Sequence, residues 1–393
     1  MMGKRANGEG TILPYKVKGV QKGWRTSIMI GFKPDGKPDR KQFYGKTQKE
    51  VKEKLEDYKR KMSMGVLNEE NITIQDWFYT WLFDYRKQDL KPKSFDRYHG
   101  IYKNYILNTN LGKIKLCDLR TTHLQRHYKN LMDQGVTPTT IKQLNTNLKT
   151  CLGEAERQGY ILKNWCKLVT LPKIDNDKEI KVLTHEEQTK FLAAIKGHEL
   201  ELLFIVALGT GLRLGELLGL KWCDIDFKNN ELTVNRSIQR VPIYEGDKIV
   251  RYEVIEQTPK TKNSSRTISV PVNIINKLKK YKKEQNQLIL YAGEAYTNNN
   301  YVLCNKLGKI IDDKKPGRNL KSILKKLNIE PMKFHALRHT YATRLFEAGV
   351  PPKTVQHLMG HADIQTTMNI YTHVMKGEKI EAVDKINNLF VEV

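Results

Sequence analysis

The chain has 393 residues, 68 of them Lys or Arg and 43 Asp or Glu, which gives a formal net charge of +25. This length predicts two or three domains, and the basic surplus favours a polyanionic partner, nucleic acid before membrane. The sequence has no membrane-length apolar run, no apolar leader and five cysteines without metal-ligand spacing, so we expect a cytoplasmic protein without membrane spans, zinc site or disulfides, whose cysteines are reduced packing residues.

Residues 1–65 predict a small module of three short strands followed by one helix. Strands are expected near residues 8–14, 23–31 and 40–45, with the Pro/Gly-rich turn FKPDGKPD before the third. Thr47 to Met62 has amphipathic helical spacing, with Thr47 as N-cap and Glu50 placed for a capping box. The module holds 17 Lys+Arg against 7 Asp+Glu, so its net charge of +10 indicates a nucleic-acid-binding face.

Residues 66–174 carry helical periodicity and predict a compact, mainly α-helical domain. Two apolar stripes support this prediction: Ile74, Trp77, Phe78, Trp81, Leu82 and Tyr85 in the first, and Leu144, Leu148 and Leu152 in the second. Thr137 followed by Pro138 is typical of a helix start. A polar linker over residues 171–177 then separates this domain from the next, where Thr184 opens a helix with Glu187 in capping-box position.

Residues 175–393 mix helical and strand periods. Helices are expected near residues 184–197, 199–208 and 213–219, strands near 231–234 and 266–270, and further helices to about residue 385. The fold class predicted for the whole chain is therefore multidomain and mainly α with small β-sheets: a three-stranded sheet plus helix, a helical domain, and a mixed α/β domain.

Four short segments of this last domain carry residue types suited to breaking a phosphodiester. They are TGLRLGEL at 210–217, TPKTK at 258–262, HALRHT at 335–340, and LMGH at 358–361 followed by YTHV at 371–374. A guanidinium can hold two phosphate oxygens at once, which makes Arg213 and Arg338 candidates for a phosphate clamp. A tyrosine nucleophile must lose a proton and the departing oxygen must gain one, so acid and base groups must flank the phosphate.

In this order and spacing the segments resemble the tyrosine recombinase family, and the sequence TMNIY at 367–371 is similar to that of integrases of conjugative transposons. The resemblance implies that Tyr371 is the nucleophile and that Arg213 and Arg338 hold the phosphate. His335 and His361 would serve proton transfer at the tyrosine and hydrogen bonding to the phosphate. Lys260 would protonate the leaving oxygen from a β-hairpin with the turn KTKNSSR. Lys262 shares its strand face and is an alternative.

The acidic residue of this family corresponds to Glu216, whose implied role is to support the first arginine or the lysine. The resemblance implies no cofactor and no metal, because the arginines take the place that Mg²⁺ has in nucleases.

The resemblance also implies a domain organisation and a set of DNA contacts. Residues 1–65 would form an arm-site DNA-binding domain, residues 66–174 a helical core-binding domain, and residues 175–393 a catalytic domain with a C-terminal tail. The implied contacts in the arm domain are Trp24, Arg25, Arg40, Lys41 and Tyr44, and those in the core-binding domain are Lys91, Lys93, Arg97, Lys142 and Lys149.

The function implied is site-specific integration and excision of a mobile element through a 3′-phosphotyrosine intermediate and a Holliday junction. The enzyme would act as a homotetramer on double-stranded DNA, with an excisionase and a DNA-bending protein as partners. Apolar residues in the tail, at helical spacing from Ile380 to Phe390, would dock on a neighbouring protomer.

Two other functions remain to be compared with this one. A DNA-binding protein that has lost catalysis would have no need for all six implied catalytic residues. A type IB topoisomerase shares the nucleophile chemistry, but a relaxing enzyme needs no second sequence-specific DNA contact of the kind that residues 1–65 predict.

Overall fold

A computed structural model describes residues 11–17, 20–32, 36–63, 71–174, 180–257 and 265–374. The chain divides into two compact units, residues 1–174 and 175–393. Lys260, Lys262 and the tail from residue 375 onward lie outside the described residues. Across the described ranges, every helix is too short or too polar to cross a membrane.

The first unit begins with an antiparallel sheet and a helix. Its strands are β1 (Leu13–Val17), β2 (Val20–Phe32) and β3 (Pro38–Gly45), in the order β1-β2-β3, and the helix is α1 (Gln48–Ser63). Thr47 caps α1 as expected, since its Oγ1 accepts a hydrogen bond from the Glu50 amide at 3.2 Å. The Glu50 carboxylate accepts from the Lys46 amide at 2.8 Å rather than from Thr47, so the expected capping box is displaced by one residue.

The rest of the first unit is helical, as expected. Its helices are α2 (Ile74–Thr80), extended by a π-helical turn (Trp81–Arg86), α3 (Pro92–Tyr105), α4 (Thr121–Asp133) and α5 (Pro138–Arg157). Both apolar stripes are buried except at Tyr85, which is 42% exposed. Trp77 joins α2 to α5, because its indole N–H donates to the carbonyl of Cys151 at 3.1 Å.

The second unit is a helical body with two small sheets. Its elements are α6 (His185–Ala194), α7 (Glu201–Thr210), α8 (Leu214–Leu218), β4 (Ile225–Asp226), β5 (Glu231–Val234), β6 (Ser237–Glu245), β7 (Lys248–Gln257), β8 (Arg266–Ser269), α9 (Val272–Ala292), α10 (Lys315–Lys326), α11 (His335–Glu347), α12 (Pro352–Met359) and α13 (Ile364–Val374). Thr184 and Glu187 form the expected capping box of α6.

The strands on either side of KTKNSSR differ from the expected hairpin. β7 pairs with β6 along its length, whereas β8 pairs with β5 in the other sheet, in the order β4-β5-β8. The two described strands that flank this segment, β7 and β8, therefore belong to different sheets and do not pair with each other. The reason is burial: Ile268 of β8 lies opposite Leu232 of β5 and both are buried, whereas β7 is largely exposed.

The expectation that all cysteines are packing residues is wrong for two of them. Cys151 and Cys166 are buried, but Cys117 and Cys223 are exposed. Both exposed cysteines lie in single 3₁₀ turns, where alternate positions of a short turn face solvent.

Candidate active site

Arg213 is placed by a glycine turn between two helices. α7 ends at Gly211, whose φ of +63° is left-handed, and Arg213 then acts as the N-cap of α8 in an extended conformation. A Cβ on Gly211 would lie 2.3 Å from Cδ1 of Tyr341, so only glycine fits. This turn also directs the carbonyl of Gly211 toward Arg338.

Arg338 lies one turn after His335 on α11 and is only 2% exposed. Its Nη1 donates to the Gly211 carbonyl at 2.6 Å, and its Nη2 donates to the Met359 carbonyl. Its Nε is buried and has no hydrogen-bond partner among the described residues. Burial, followed by the charge of Arg213, lowers the pKa of Arg338 to about 9, so the guanidinium stays protonated at neutral pH.

Glu216 lies between two arginines. Its Oε1 accepts from Nη1 of Arg213 at 2.8 Å, and its Oε2 accepts from Nη2 of Arg266 at 2.9 Å. Burial raises the pKa of the Glu216 carboxyl, but the hydrogen bond and charge of Arg266 and then of Arg213 outweigh it and lower that pKa to about 2. Glu216 therefore forms a direct ion pair with Arg213, the first arginine of the motif.

Arg266 is a member of the site that sequence reasoning missed. It is 7% exposed as a whole residue, and its Nε donates to the Leu358 carbonyl at 3.2 Å. A signal was available, because Arg266, Ile268 and Val270 alternate along the predicted strand and so share its inward face. An arginine on a buried strand face needs a carboxylate partner, which here is Glu216.

The two histidines are neutral at neutral pH. Partial desolvation, followed by the charges of His339 and Arg338, lowers the pKa of His335 to about 4, although the residue as a whole is exposed to solvent. Burial, followed by the charges of Arg338 and Arg213, lowers the pKa of His361 to about 3. Both imidazoles can therefore accept a proton or a hydrogen bond, and neither adds charge to the free site.

His361 is oriented by the helix that carries Tyr371. Its Nδ1 lies 2.9 Å from Oγ1 of Thr367, a residue of α13 with no exposed surface. Tyr371 follows Thr367 by four residues, so the two lie on one face of α13. The ring of Tyr371 packs edge-on against Phe346 of α11, with centroids 5.2 Å apart.

The structure thus brings Arg213, Arg338, His335 and His361 together, and it attaches the helix of Tyr371 to them through Thr367. In the described part of the chain, no hydrogen bond joins the Tyr371 hydroxyl to either arginine. Lys260 and Lys262 cannot be compared with this cluster because they lie outside the described residues.

For the strand cleavage that the sequence resemblance implies, we expect Thr367→Val to lower the rate about tenfold, because His361 loses its orienting partner; this corresponds to one hydrogen bond of about 1.4 kcal/mol. Thr367→Ser keeps the hydroxyl and is expected to retain the rate. Single-turnover cleavage of labelled DNA measures both. Thr366→Val, at an exposed position of the same helix, is the control, and equal rates for the two valine variants would exclude an orienting role for Thr367.

Charge at this cluster favours an anion. Three arginines surround one carboxylate, and the neutral histidines leave a net positive site around Arg213, whose side chain is 42% exposed. The described residues contain no group of three His, Cys, Asp or Glu side chains that could hold a metal ion. The donors present suit a phosphate better than a cation.

The implied DNA contacts of the N-terminal sheet divide between its two faces. Arg25 pairs with Tyr44, and both side chains lie on the exposed face together with Arg40. Trp24 alternates to the other face, and the Lys41 ammonium lies 4.6 Å from the ring centroid of Tyr58 on α1. The sheet thus presents Arg25, Arg40 and Tyr44 on a face away from α1, with Trp24 and Lys41 on the helix side.

The implied contacts of the helical domain lie on exposed helix surfaces. Lys91 precedes α3, and Lys93 and Arg97 lie one turn apart on it, all three exposed. Lys142 and Lys149 are seven residues apart on one face of α5, where Lys149 is exposed and Lys142 is half-buried. Each helix therefore offers a basic surface.

Comparisons with known proteins agree with the resemblance found in the sequence. Residues 181–378 match the phage integrase family, and residues 73–132 match the phage integrase N-terminal SAM-like domain. A XerC-like tyrosine recombinase of Caldanaerobacter subterraneus subsp. tengcongensis is 43% identical over 384 residues, covering 95% of this chain and 98% of that protein.

Two solved structures share the fold at low sequence identity. The Tn1549 transposon integrase in complex with transposon right end DNA has a TM-score of 0.65 at 22% identity, covering 81% of this chain and all of that one. A lambda integrase tetramer bound to a Holliday junction has a TM-score of 0.57 at 19% identity, covering 89% of this chain and 95% of that one. The predicted fold class, mainly α with small sheets, is confirmed.

Proposed function

The chain belongs to the phage integrase family of tyrosine recombinases, and from this we propose that it integrates and excises a mobile DNA element at specific sites. The observation that supports the chemistry best is the net positive cluster of Arg213 and Arg338 beside two neutral histidines and the helix of Tyr371. Such a cluster suits an anionic phosphodiester rather than a neutral substrate.

In the proposed cleavage step, the Tyr371 hydroxyl oxygen attacks the scissile phosphorus and the bond from phosphorus to the 5′ oxygen breaks. A 3′-phosphotyrosine ester and a free 5′ hydroxyl result, and no metal or cofactor takes part. The proton of the tyrosine passes to a neutral histidine, and Lys260 supplies the proton that the 5′ oxygen takes up, with Lys262 as the alternative donor.

Arg213 and Arg338 stabilise the negative charge that develops on the two non-bridging oxygens, as donors held in place before the reaction begins. Attack by a 5′ hydroxyl of the partner DNA reverses the step and joins the new strand. Two such rounds, separated by a Holliday junction, complete strand exchange.

We further propose three domains, at residues 1–65, 66–174 and 175–393, with the first binding arm sites and the other two the core site. The active assembly is a homotetramer on double-stranded DNA in the cytoplasm, assisted by an excisionase and a DNA-bending protein. The lambda integrase tetramer on a Holliday junction supports the tetramer by analogy.

The nucleophile is tested with a suicide substrate, a nicked duplex from the element's own ends that loses the short 5′-hydroxyl fragment after cleavage. With the 5′ end of the retained strand labelled, the wild-type chain is expected to form a protein-sized band in denaturing gels, with EDTA present. Tyr371→Phe is expected to form none, because a phenyl ring has no attacking oxygen.

Tyr341→Phe is the matched control for this substitution. Tyr341 is a half-buried tyrosine on α11 that packs on the same apolar cluster as Tyr371, and its variant is expected to keep the band. DNA binding without a covalent band in every protein would instead indicate a non-catalytic DNA-binding protein. Covalent cleavage with plasmid relaxation but no exchange between two sites would indicate a topoisomerase.

The sheet face is tested separately by DNA binding. Arg25→Ala and Arg40→Ala are each expected to weaken binding of arm-site DNA about fivefold and to lower the salt dependence by about one released counterion. Fluorescence anisotropy of the full chain, titrated with salt, measures both quantities. Lys41 was one of the contacts implied by the resemblance, but it lies on the helix side, so we propose that it does not contact DNA and expect Lys41→Ala to bind like wild type. An equal loss in all three variants would contradict binding by the exposed face.

A further inference from the structure

Three consecutive backbone carbonyls at the end of α12 each accept a hydrogen bond from a different arginine. Arg266 donates to the carbonyl of Leu358 at 3.2 Å and Arg213 to that of Gly360 at 3.1 Å. Arg338 donates to the carbonyl between them, that of Met359. The final carbonyls of a helix lack intrahelical donors and carry the negative end of its dipole, so this terminus compensates a group of positive charges.

Arg266 differs from Arg213 in having no open edge left for a substrate. Its side chain is only 4% exposed, and its Nη1 and Nη2 both donate to the Glu216 carboxylate, at 3.3 and 2.9 Å. With Nε on the Leu358 carbonyl, each of its three nitrogens has a protein acceptor. A guanidinium used in this way fixes other groups rather than binding a phosphate.

Glu216, which is held by Arg266, in turn fixes the position of Arg213. The carboxylate accepts from the Arg213 guanidinium at 2.8 Å and from the Arg213 amide at 3.0 Å, so it holds both the side chain and the backbone of that residue. The Glu216 side chain is 10% exposed, whereas that of Arg213 is 42% exposed. Arg213 therefore keeps an open edge while its inner edge is fixed.

Gly360 lets the backbone lie directly against Arg266. Its φ is +62°, and a Cβ there would lie 2.9 Å from Cζ, Nε and Nη1 of Arg266. The next residue is His361. One buried guanidinium thus sets the position of both Glu216 and the turn that leads into His361.

We propose that Arg266 is a positioning residue that aims Arg213 at the scissile phosphate, acting through Glu216 and the C-terminal turn of α12. The inference rests on the proposed strand cleavage. Loss of Arg266 releases the Glu216 carboxylate, which then competes with the phosphate for the open edge of Arg213.

The test compares two substrates that differ in charge at the scissile position. One carries the ordinary phosphodiester and the other a neutral methylphosphonate, in which a methyl group replaces a non-bridging oxygen. Arg266→Met is expected to slow cleavage of the phosphodiester about 100-fold, the scale of one lost oxyanion donor, and that of the methylphosphonate less than about fivefold. Arg266→Lys, which keeps the charge but not the two-pronged contact, is expected to lose about tenfold on the phosphodiester only.

Arg236→Met is the matched control. Arg236 is also a mostly buried arginine of this unit that bonds a carboxylate, that of Asp224, and a backbone carbonyl, that of Gly219. Its variant is expected to cleave both substrates at the wild-type rate per folded molecule, with folding followed by circular dichroism. If Arg266→Met does not fold, Arg266→Lys carries the test.

Equal losses on both substrates in the Arg266 variants, or wild-type rates on the phosphodiester, would overturn the positioning role. A wild-type chain that forms no covalent adduct would count against the proposed function instead. The two failures are therefore distinguished in one assay.

Discussion

Arg338→Met is expected to reduce the rate of covalent strand cleavage by about 100-fold to 1,000-fold while DNA binding is retained. The variant loses the buried cation that we propose stabilises the phosphate, and the methionine side chain supplies neither a charge nor an N–H donor. The substitution also leaves the carbonyls of Gly211 and Met359 without their hydrogen-bond donor, which is destabilising. Because it also removes the desolvation penalty of a buried charge, the free energy of unfolding should fall by only about 2 kcal/mol. Suicide-substrate kinetics and urea unfolding measure the two effects.

Arg344→Met provides the comparison for this result. Arg344 lies on the same helix and is also mostly buried, with bonds to the Leu183 carbonyl, Gln188 and Glu347. In the described part of the chain it forms no hydrogen bond to an acceptor shared with Arg213 or Arg338. Its variant is expected to lose stability and to cleave DNA normally once folded. If both variants lost cleavage in proportion to stability, the role of Arg338 would be structural.

Gly211→Ala is expected to lower the free energy of unfolding by about 2–5 kcal/mol and to abolish cleavage at assay temperature. Two costs combine: alanine in the left-handed region is strained, and its Cβ would lie 2.3 Å from the Tyr341 ring and 3.1 Å from Sδ of Met359. Any relief must move the Gly211 carbonyl that binds Arg338. Thermal and urea unfolding, together with the cleavage assay, measure the outcome.

Gly349 supplies the control for the strain alone. Its φ of +74° is left-handed as well, but a Cβ there would meet nothing within 4 Å. Gly349→Ala is therefore expected to cost about 1–2 kcal/mol and to leave cleavage per folded molecule unchanged. Equal stability losses at the two positions would mean that the contacts around Gly211 yield without cost.

Much of the fold could be predicted because local rules decide it. Thr47, Thr137 and Thr184 cap helices at the positions that their sequences indicate, and the leucines at 144, 148 and 152 are buried as their spacing requires. The β6–β7 ribbon was missed because most of its second strand is exposed and carries no apolar-inward alternation. Which strand pairs with which across residues 258–264 depends on contacts distant in sequence, which a local pattern does not contain.

The site was predictable to the extent that its chemistry needs particular side chains. Arg213, Arg338, His335 and His361 stand in motifs whose residue types match phosphate chemistry, and the structure brings them together. Arg266 was missed because its partners, Glu216 and the Leu358 carbonyl, are 50 and 92 residues away. The contact of Tyr371 with Phe346 likewise follows from the packing of α13 on α11 and not from either motif.

The three carbonyls at the end of α12 bind the arginines through the backbone and not through side chains. Every amino acid supplies the same carbonyl, so substitutions at residues 358 and 359 alter packing but leave the acceptors of Arg266 and Arg338 in place. An alanine scan would therefore record these positions only as core residues. Their electrostatic contribution becomes visible when an ester replaces the peptide bond, since an ester carbonyl is a weaker acceptor with the side chain unchanged. Substitutions at residues 358 and 359 that preserve packing should therefore retain the backbone geometry that holds the arginines.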